Sequence, residues 1–127
     1  MVRHAVLRNG LPIETCAFDR DEDNDTLHLG AYVDKKIIGV LTLLPNASDV
    51  QLRGMAVLPE MQKQGIGYQL ILEAENRVIQ MGISLLWMNA RLIAIPFYER
   101  CGYQKQGGKF RLPYGGDHYK MIKHLCA

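Results

Sequence analysis

Apolar positions in the first half of the chain come in short runs rich in β-branched residues, separated by turn residues. Such runs are typical of β-strands. Asp34-Lys35-Lys36 lies between the first two runs and predicts a hairpin, and Pro45-Asn46-Ala47-Ser48 predicts the turn after the second. The predicted strands cover residues 27–33, 37–44 and 50–57.

The period of the apolar positions changes after residue 57. Ile66, Leu70, Ala74 and Val78 recur at helical spacing, and Gly82 ends this predicted helix. The remaining predicted elements are a strand over residues 83–88, a helix over 94–100, and closing strands over 103–105 and 118–125. A helix that crosses between two apolar strands forms a βαβ unit, so part of the sheet is expected to be parallel.

The first 25 residues carry weaker signals. Residues 4–8 precede Asn9-Gly10 and predict the tail of a helix, because that pair is a good C-terminal stop signal. Residues 19–25 are strongly acidic. We interpret this run as a solvated loop, since no calcium-binding loop pattern follows it.

Composition is that of an ordinary globular protein. With 127 residues, of which 48% are hydrophobic and 22% charged, we expect a single domain over residues 1–127. The net charge of +2 is small and the basic residues are scattered, which argues against a nucleic-acid partner. No apolar run is long enough to cross a bilayer and no secretory signal is visible, so no membrane partner is expected.

The cysteines and histidines predict no metal. Cys16, Cys101 and Cys126 are widely spaced and form no CxxC pair, which argues against a disulfide framework or a zinc site. The histidines likewise show no metal-ligand spacing. We therefore expect a cytoplasmic protein, and a catalytic role for the Cys101 thiol is disfavoured.

A glycine-rich turn, Gln62-Lys63-Gln64-Gly65-Ile66-Gly67, opens the long predicted helix. Such a turn directs free backbone N–H groups and the positive end of the helix dipole toward one point, where a phosphate group binds well. The turn therefore predicts a phosphate-bearing cofactor, although a purely structural strand-to-helix turn fits the same residues. It is not a nucleotide P-loop, because Tyr68-Gln69 replaces the required Lys-Ser or Lys-Thr. Leu70 and Asn89 do not fit the dinucleotide-binding fingerprint.

Two longer segments carry a family resemblance. Residues 53–60, Arg-Gly-Met-Ala-Val-Leu-Pro-Glu, followed by the glycine-rich turn, resemble motif A of the GNAT family of N-acetyltransferases. Residues 94–103, Ala-Ile-Pro-Phe-Tyr-Glu-Arg-Cys-Gly-Tyr, resemble the family's Ala-x-x-Phe/Leu-Tyr-x-x-x-Gly-Phe/Tyr segment. Asn89-Ala90 and His118-Tyr119-Lys120-Met121 are most similar to a small, uncharacterised bacterial branch of the family.

The resemblance implies an α/β (α+β) fold with a mixed, mostly antiparallel central sheet, one parallel and splayed strand pair, and flanking helices. The family's first strand usually precedes a segment like residues 4–8, and this chain has no room for it, so we expect that strand to be absent. The sheet would then be trimmed at one edge, or a partner subunit would cover that edge. We expect a homodimer, because an open edge invites pairing.

Acetyl-coenzyme A is the implied co-substrate. In the family, the glycine-rich turn holds the pyrophosphate and the splayed strand holds the pantetheine arm. The coenzyme-binding positions implied here are Met55, Ala56, Val57, Gln62, Lys63, Gln64, Gly65, Ile66, Gly67, Tyr68 and Asn89. The family commonly has asparagine where this chain has Arg91, and Asn89 is the nearer match to the small bacterial branch.

The resemblance implies that Tyr98 is a general acid that protonates the departing thiolate. A phenol with an unperturbed pKa of about 10 is protonated at neutral pH. The alternatives are that Tyr98 packs the helix against the sheet, or that it only hydrogen-bonds the sulfur. The base stays unassigned: Glu60 suits a solvent-facing position, and His28 and His118 lie on predicted strands, where a hydrogen-bonded structural role is favoured.

The function implied is an N-acetyltransferase that moves an acetyl group from acetyl-coenzyme A to a primary amine of a small molecule or peptide by direct attack. The alternative is a non-catalytic regulatory module that binds acyl-coenzyme A. The acceptor cleft is expected between the irregular loops at residues 12–25 and 107–117. The acidic run in the first loop could attract a cationic amine, although plain solvation is favoured.

Overall fold

The computed structural model describes residues 2–6, 12–18, 26–59, 65–113 and 116–126. Within these ranges the chain forms eight β-strands and two α-helices. The strands are β1 (Val2–Val6), β2 (Pro12–Phe18), β3 (Leu27–Val33), β4 (Lys36–Pro45), β5 (Val50–Val57), β6 (Leu85–Arg91), β7 (Gln104–Leu112) and β8 (Gly116–His124). The helices are α1 (Ile66–Gln80) and α2 (Ile95–Arg100), and a short 3₁₀ turn (Leu92–Ala94) precedes α2.

The strands form one mixed sheet in the order β1-β2-β3-β4-β5-β6-β8-β7. Neighbouring strands are antiparallel except for β5 and β6, which are parallel. This pair is joined only at its start, where Val50 lies beside Leu86 and Gln51 beside Trp87. Both strands continue well beyond these residues and diverge. The predicted fold class, a mostly antiparallel sheet with one splayed parallel pair and flanking helices, is confirmed.

A β-bulge bends β5 in the part that lies beyond β6. The pairing of β4 with β5 shifts by one residue between Val40 and Thr42, so β5 has one extra residue there. The bulge includes Gly54, whose φ of 63° lies in the left-handed region that favours glycine. The backbone after Gly54 is thereby re-aimed, and residues 55–57 form one wall of the space between the diverging strands.

Helix α1 packs on one face of the sheet against β3, β4 and β5. Its predicted apolar stripe is confirmed, since Leu70, Ala74 and Val78 are fully buried. Gly39 on β4 lets the helix approach closely, because a Cβ at that position would lie 3.0 Å from Leu70 Cδ1. Each buried aliphatic side chain contributes roughly 1.5–3 kcal/mol to folding. The stripe therefore holds the N-terminus of α1 firmly beside the diverging strands.

The start of the chain differs from the predictions. The helix tail predicted over residues 4–8 is wrong for residues 4–6, because β1 covers Val2–Val6 and pairs with β2; residues 7 and 8 are outside the described residues. Part of the loop predicted over residues 12–25 is strand β2, which pairs with β3. A ladder satisfies the backbone N–H and C=O groups of a whole segment, which outweighs a local helix stop signal. The acidic run at residues 19–25 is outside the described residues.

The expected trimmed edge at β3 is therefore not found. Strand β2 occupies that edge, and β1 extends the sheet further. The homodimer was expected because a trimmed edge would be open to pairing. The edge strands of the described sheet are β1 and β7, and the homodimer stays a prediction. Neither described helix is long and apolar enough to cross a membrane.

The loop predicted over residues 107–117 is mostly strand as well. Strands β7 and β8 together cover most of it, and their pairing shifts between Gln106 and Phe110. Gly107, with φ of 81°, lies within this irregularity. The glycines that suggested a loop thus belong to a bulge, which a ladder tolerates because the backbone can take a positive φ there.

Candidate active site

The divergence of β5 from β6 opens a cavity of about 1020 Å³, here called the main cleft. Its walls come from the end of β5, the start of α1 and the segment from the end of β6 through α2. The lining residues are Met55, Ala56, Val57, Gly65, Gly67, Tyr68, Arg91, Ile93, Ala94, Phe97, Tyr98, Arg100 and Cys101. Segments that resembled the family separately in sequence therefore meet around one space.

Most of the predicted site residues line the main cleft. The exceptions in the described part are Ile66, which is 1% exposed and belongs to the core, and Asn89, which lines a neighbouring cavity. Ile66 points into the core because it opens the buried stripe of α1. Gln62, Lys63 and Gln64 lie outside the described residues. The binding roles of all these residues remain predictions.

The N-terminus of α1 forms one end of the main cleft. Gly65 occupies the position before the helix with φ 81° and ψ 5°, and no side-chain hydrogen bond caps the first turn. Gly67 lies in that first turn, where a Cβ would be 3.0 Å from Met55 Cε and 3.2 Å from Phe97 Cζ. Since Gly67 has no side chain, the turn packs closely against β5 and α2. An uncapped helix N-terminus beside a cleft favours an anionic ligand.

Tyr98 is a buried part of the main cleft's lining, with 7% of its surface exposed. Its ring packs edge-on against Phe97 at 5.2 Å and against Tyr103 at 6.0 Å, measured between ring centroids. Its hydroxyl donates a long hydrogen bond of 3.7 Å to Met55 Sδ. A thioether sulfur is a weak acceptor, so the hydroxyl can turn to a better one.

Burial raises the pKa of Tyr98 to about 12. The nearby Cys101 adds to this increase, and Arg91 opposes it. The phenol is therefore protonated throughout the physiological range and can act as a donor. Burial, and then the charge of Glu75, also raise the pKa of the Cys101 thiol, which keeps it protonated and makes it a poor nucleophile.

A second cavity of about 430 Å³, here called the side cavity, lies next to the main cleft. Met55, Arg91, Ala94 and Tyr98 line both cavities. The other walls of the side cavity are Leu52, Arg53, Gly54, Met88, Asn89, Ala90, Leu112 and His118. Tyr98 is therefore one of the residues at which the two spaces adjoin.

The two histidines weighed from the sequence have different surroundings. His28 Nδ1 lies 2.8 Å from Thr42 Oγ1 on the neighbouring strand, at neither cavity, which fits the predicted structural role. His118 is 5% exposed, lies 2.7 Å through Nδ1 from the carbonyl oxygen of Gly116, and lines the side cavity. Glu60 is outside the described residues.

A polar network in the interior is hydrogen-bonded to the end of α2, and no sequence pattern predicted it. Glu75 on α1 accepts hydrogen bonds from Tyr103 Oη at 2.9 Å and from Lys123 Nζ at 3.0 Å. Lys123 also donates to the carbonyl oxygen of Cys101 at 2.9 Å, at the end of α2. Burial, and then Glu75, raise the pKa of Tyr103. The network connects α1, β8 and the end of α2, and so positions the helix that carries Tyr98.

No group of three or more His, Cys, Asp or Glu side chains that could hold a metal ion occurs among the described residues. The side chains of the lining offer positioning, hydrogen bonding and proton transfer.

Comparisons with known proteins agree with this architecture. The model of the acetyltransferase (GNAT) family matches residues 5–103. The uncharacterized N-acetyltransferase YitI of Bacillus subtilis (strain 168) is 34% identical over 131 residues, which cover 98% of this chain and 88% of that protein.

Solved structures have the same fold. A provisionally assigned N-acetyltransferase from Lactobacillus plantarum superposes with a TM-score of 0.76 at 26% identity, covering 86% of this chain and 75% of that one. The PaiA N-acetyltransferase of Thermoplasma acidophilum, in complex with coenzyme A, superposes with a TM-score of 0.68 at 26% identity, covering 80% and 62%. The chain therefore belongs to the GNAT family of acetyltransferases and is an acetyl-coenzyme A-dependent acyltransferase.

Proposed function

We propose that this protein transfers the acetyl group of acetyl-coenzyme A to a primary amine of a small molecule or peptide by direct attack of the amine on the thioester. The observation that carries the proposal is the meeting of the main cleft and the side cavity at Tyr98. In a direct transfer, the amine and the thioester are bound next to each other so that the amine nitrogen can reach the thioester carbon. A proton donor must lie within reach of the leaving sulfur.

The main cleft suits the coenzyme. The uncapped start of α1, at Gly65 to Gly67, favours the pyrophosphate. The pairing of β5 with β6 ends at Gln51, so the side of β5 that faces β6 carries no ladder at Met55 and Ala56. An amide-rich pantetheine arm can lie along such a strand and direct the thioester toward Tyr98. The PaiA relative holds coenzyme A, which supports the same ligand here.

Tyr98 is proposed to donate its hydroxyl proton toward the departing sulfur. Its raised pKa sets a limit on this role. Transfer from a phenol with a pKa of about 12 to a thiolate with an ordinary pKa of about 8.5 is uphill by about 3.5 units, or about 5 kcal/mol. Burial raises the pKa of the Cys101 thiol in the lining of the main cleft. Burial should raise the pKa of the coenzyme thiol there in the same way, which reduces the difference between its pKa and that of Tyr98. Hydrogen-bond donation to the developing thiolate therefore makes a large part of the contribution.

The side cavity suits the acceptor, and its charge indicates the acceptor's chemistry. Arg53 and Arg91 line it, and none of its described lining residues is acidic. We infer that the preferred amines carry a carboxylate or phosphate group besides the reacting nitrogen, because a guanidinium pairs well with either anion. This differs from the cationic amine that the acidic run at residues 19–25 would favour.

An amine-panel assay that follows the release of free coenzyme thiol tests the proposal. The panel should pair amines that differ only in having a carboxylate or an uncharged group. Wild type should release thiol only when an amine is present, and Tyr98→Phe should slow transfer while keeping coenzyme affinity.

Tyr119→Phe is the matched control, because Tyr119 lies on β8 and lines neither cavity. A protein that binds acetyl-coenzyme A tightly and transfers nothing across the panel would instead be a regulatory acyl-coenzyme A-binding module. Such a module would also bind acyl-coenzyme A in the main cleft, but it would not need a proton donor where the two cavities adjoin.

A further inference from the structure

His118 lines the side cavity, and its hydrogen bond to the backbone fixes which ring nitrogen carries the hydrogen. Its Nδ1 lies 2.7 Å from the carbonyl oxygen of Gly116. A carbonyl oxygen can only accept, so Nδ1 carries the hydrogen and donates it. In the neutral ring, Nε2 is then left with a lone pair that can accept a proton.

That second nitrogen has no hydrogen-bond partner among the described residues. Nε2 is not fully buried. Among the described residues, the side-chain nitrogen or oxygen that is both fully buried and without a hydrogen-bond partner is Arg77 Nη2. His118 is 5% exposed and lines the side cavity, so a molecule bound in that cavity is the available partner for Nε2. A residue that is almost fully buried thus leaves one nitrogen available to a bound molecule.

A stacked aromatic ring and a hydrogen bond hold the ring of His118 in place. On β8, His118 pairs with Arg91 of β6 and with Phe110 of β7, and the ring of Phe110 stacks on it with centroids 6.0 Å apart and planes 26° from parallel. Residues directly opposite in a ladder project on the same face. The stacking and the hydrogen bond of Nδ1 together restrict the direction in which Nε2 points.

No other described side chain of the side cavity can accept a proton at neutral pH. The titratable and charged groups that face His118 are Arg53 from β5, Arg91 from β6 and Tyr98 from α2. A guanidinium has donors and no acceptor, and burial keeps the phenol protonated. Asp117, next to His118 on β8, is paired with Lys109 and Arg111 and does not line the cavity.

We propose that His118 is the general base of the acetyl transfer and takes a proton from the acceptor ammonium through Nε2. This inference rests on the function proposed above. The ammonium gives one proton to Nε2, and the amine nitrogen then forms a bond to the thioester carbon. The carbon–sulfur bond breaks, and the sulfur accepts the proton of Tyr98. The attached nitrogen loses its second proton to the tyrosinate, and the imidazolium releases the first proton to solvent.

The test compares wild type with His118→Asn. The side-chain amide of asparagine can keep the hydrogen bond to Gly116 but cannot act as a base. For a strongly basic alkylamine at neutral pH, we expect kcat/KM to fall about 10²-fold, the lower end of the range for general-base catalysis. The loss should shrink as the pH rises and the amine deprotonates by itself. It should also be small for an arylamine, which is already unprotonated at neutral pH.

Controls make the outcomes distinguishable. His28→Asn removes a histidine that lines neither cavity and should leave the pH profile unchanged. Affinity for acetyl-coenzyme A and the thermal unfolding midpoint should match between His118→Asn and wild type; if the asparagine variant unfolds, His118→Gln takes its place.

Three results would overturn the inference. If wild type transfers acetyl and His118→Asn keeps the wild-type rate and pH profile with alkylamines, His118 is not the base, although the proposed function stands. If the variant loses the same factor with alkylamines and arylamines at every pH, His118 has a structural role. Absence of transfer by wild type to any amine refutes the proposed function, and the role of His118 with it.

Discussion

Replacing Tyr98 by phenylalanine removes a single hydroxyl from the point where the main cleft meets the side cavity. The ring contacts with Phe97 and Tyr103 do not involve this oxygen and should persist. The hydroxyl has only a 3.7 Å hydrogen bond to Met55 Sδ among the described residues. Its removal should therefore change stability at neutral pH by less than about 1 kcal/mol.

The catalytic effect should be much larger than the effect on stability. General acid catalysis contributes about 10²–10⁴-fold to a rate. The pKa of about 12 makes Tyr98 a weak acid, so we expect a loss near the lower limit, about 10²-fold in kcat. Coenzyme affinity should change little, because the donor matters when charge develops on the sulfur.

The same variant gives a second signal in alkaline solution. Folding raises the pKa of Tyr98 from 10.0 to about 12, so folding favours the protonated phenol. The resulting contribution to the free energy of unfolding is fully present below pH 10. This contribution is lost as the pH rises through about 12. Two pKa units correspond to about 3 kcal/mol. Between pH 10 and 12, urea unfolding should show a decline in stability that is smaller in Tyr98→Phe than in wild type by up to that amount.

Rates are measured by thiol release at saturating substrate, and coenzyme binding by calorimetry. A Tyr98→Phe variant that keeps the wild-type kcat, while the chemical step limits the rate, would refute the donor role of Tyr98. A decrease of the wild-type rate with rising pH that begins well below pH 10 and is absent in the variant would also refute it, because Tyr98 would then ionise more easily than its burial allows.

Three further substitutions test other parts of the site. Gly67→Ala places a Cβ 3.2 Å from Cζ of the rigid Phe97 ring, so we expect the start of α1 to shift and the calorimetric affinity for acetyl-coenzyme A to fall several-fold. Glu75→Gln leaves the partly buried ammonium of Lys123 without its counter-charge and should lower the urea unfolding free energy by about 2 kcal/mol. Arg53→Gln should raise KM for carboxylate-bearing amines about tenfold with little change for uncharged ones.

Each substitution has a control. Gly108→Ala adds a methyl group where nothing lies within 4 Å, and coenzyme affinity should be unchanged. Asp117→Asn breaks exposed ion pairs and should cost less than about 1 kcal/mol. Arg111→Gln removes an exposed arginine outside both cavities and should not affect KM. Equal effects of a variant and its control would contradict the corresponding argument.

Local patterns predicted the central elements well. The apolar stripe of α1 and its end near Gly82 are confirmed, because a helix is set by spacing and stop signals within one segment. The hairpin of β3 and β4 is confirmed for the same reason: Asp34 and Lys35 take positive φ values in a short turn between two apolar runs. Where the partner lies close in sequence, the sequence is sufficient.

The misjudged segments depend on distant partners or on local irregularity. Residues 4–8 were expected to be helical, yet β1 pairs with β2, and the glycines of β7 appeared to form a loop. A strand derives much of its stability from its neighbours, so its own residues carry a weak signal. The network of Glu75, Tyr103 and Lys123 was missed because its members lie on separate elements and their sequence has no periodicity.

The features of the site show the same difference between what neighbours in sequence set and what distant partners set. By itself, the sequence determined the family, the glycine turn at the start of α1, and Tyr98 as the residue of interest, because each of these depends on neighbours along the chain. The tertiary structure decided that β5 and β6 diverge, that Tyr98 stands between two cavities, and that His118 from β8 faces the second. Those facts depend on how distant strands pair and how far they separate, and no local pattern records that distance.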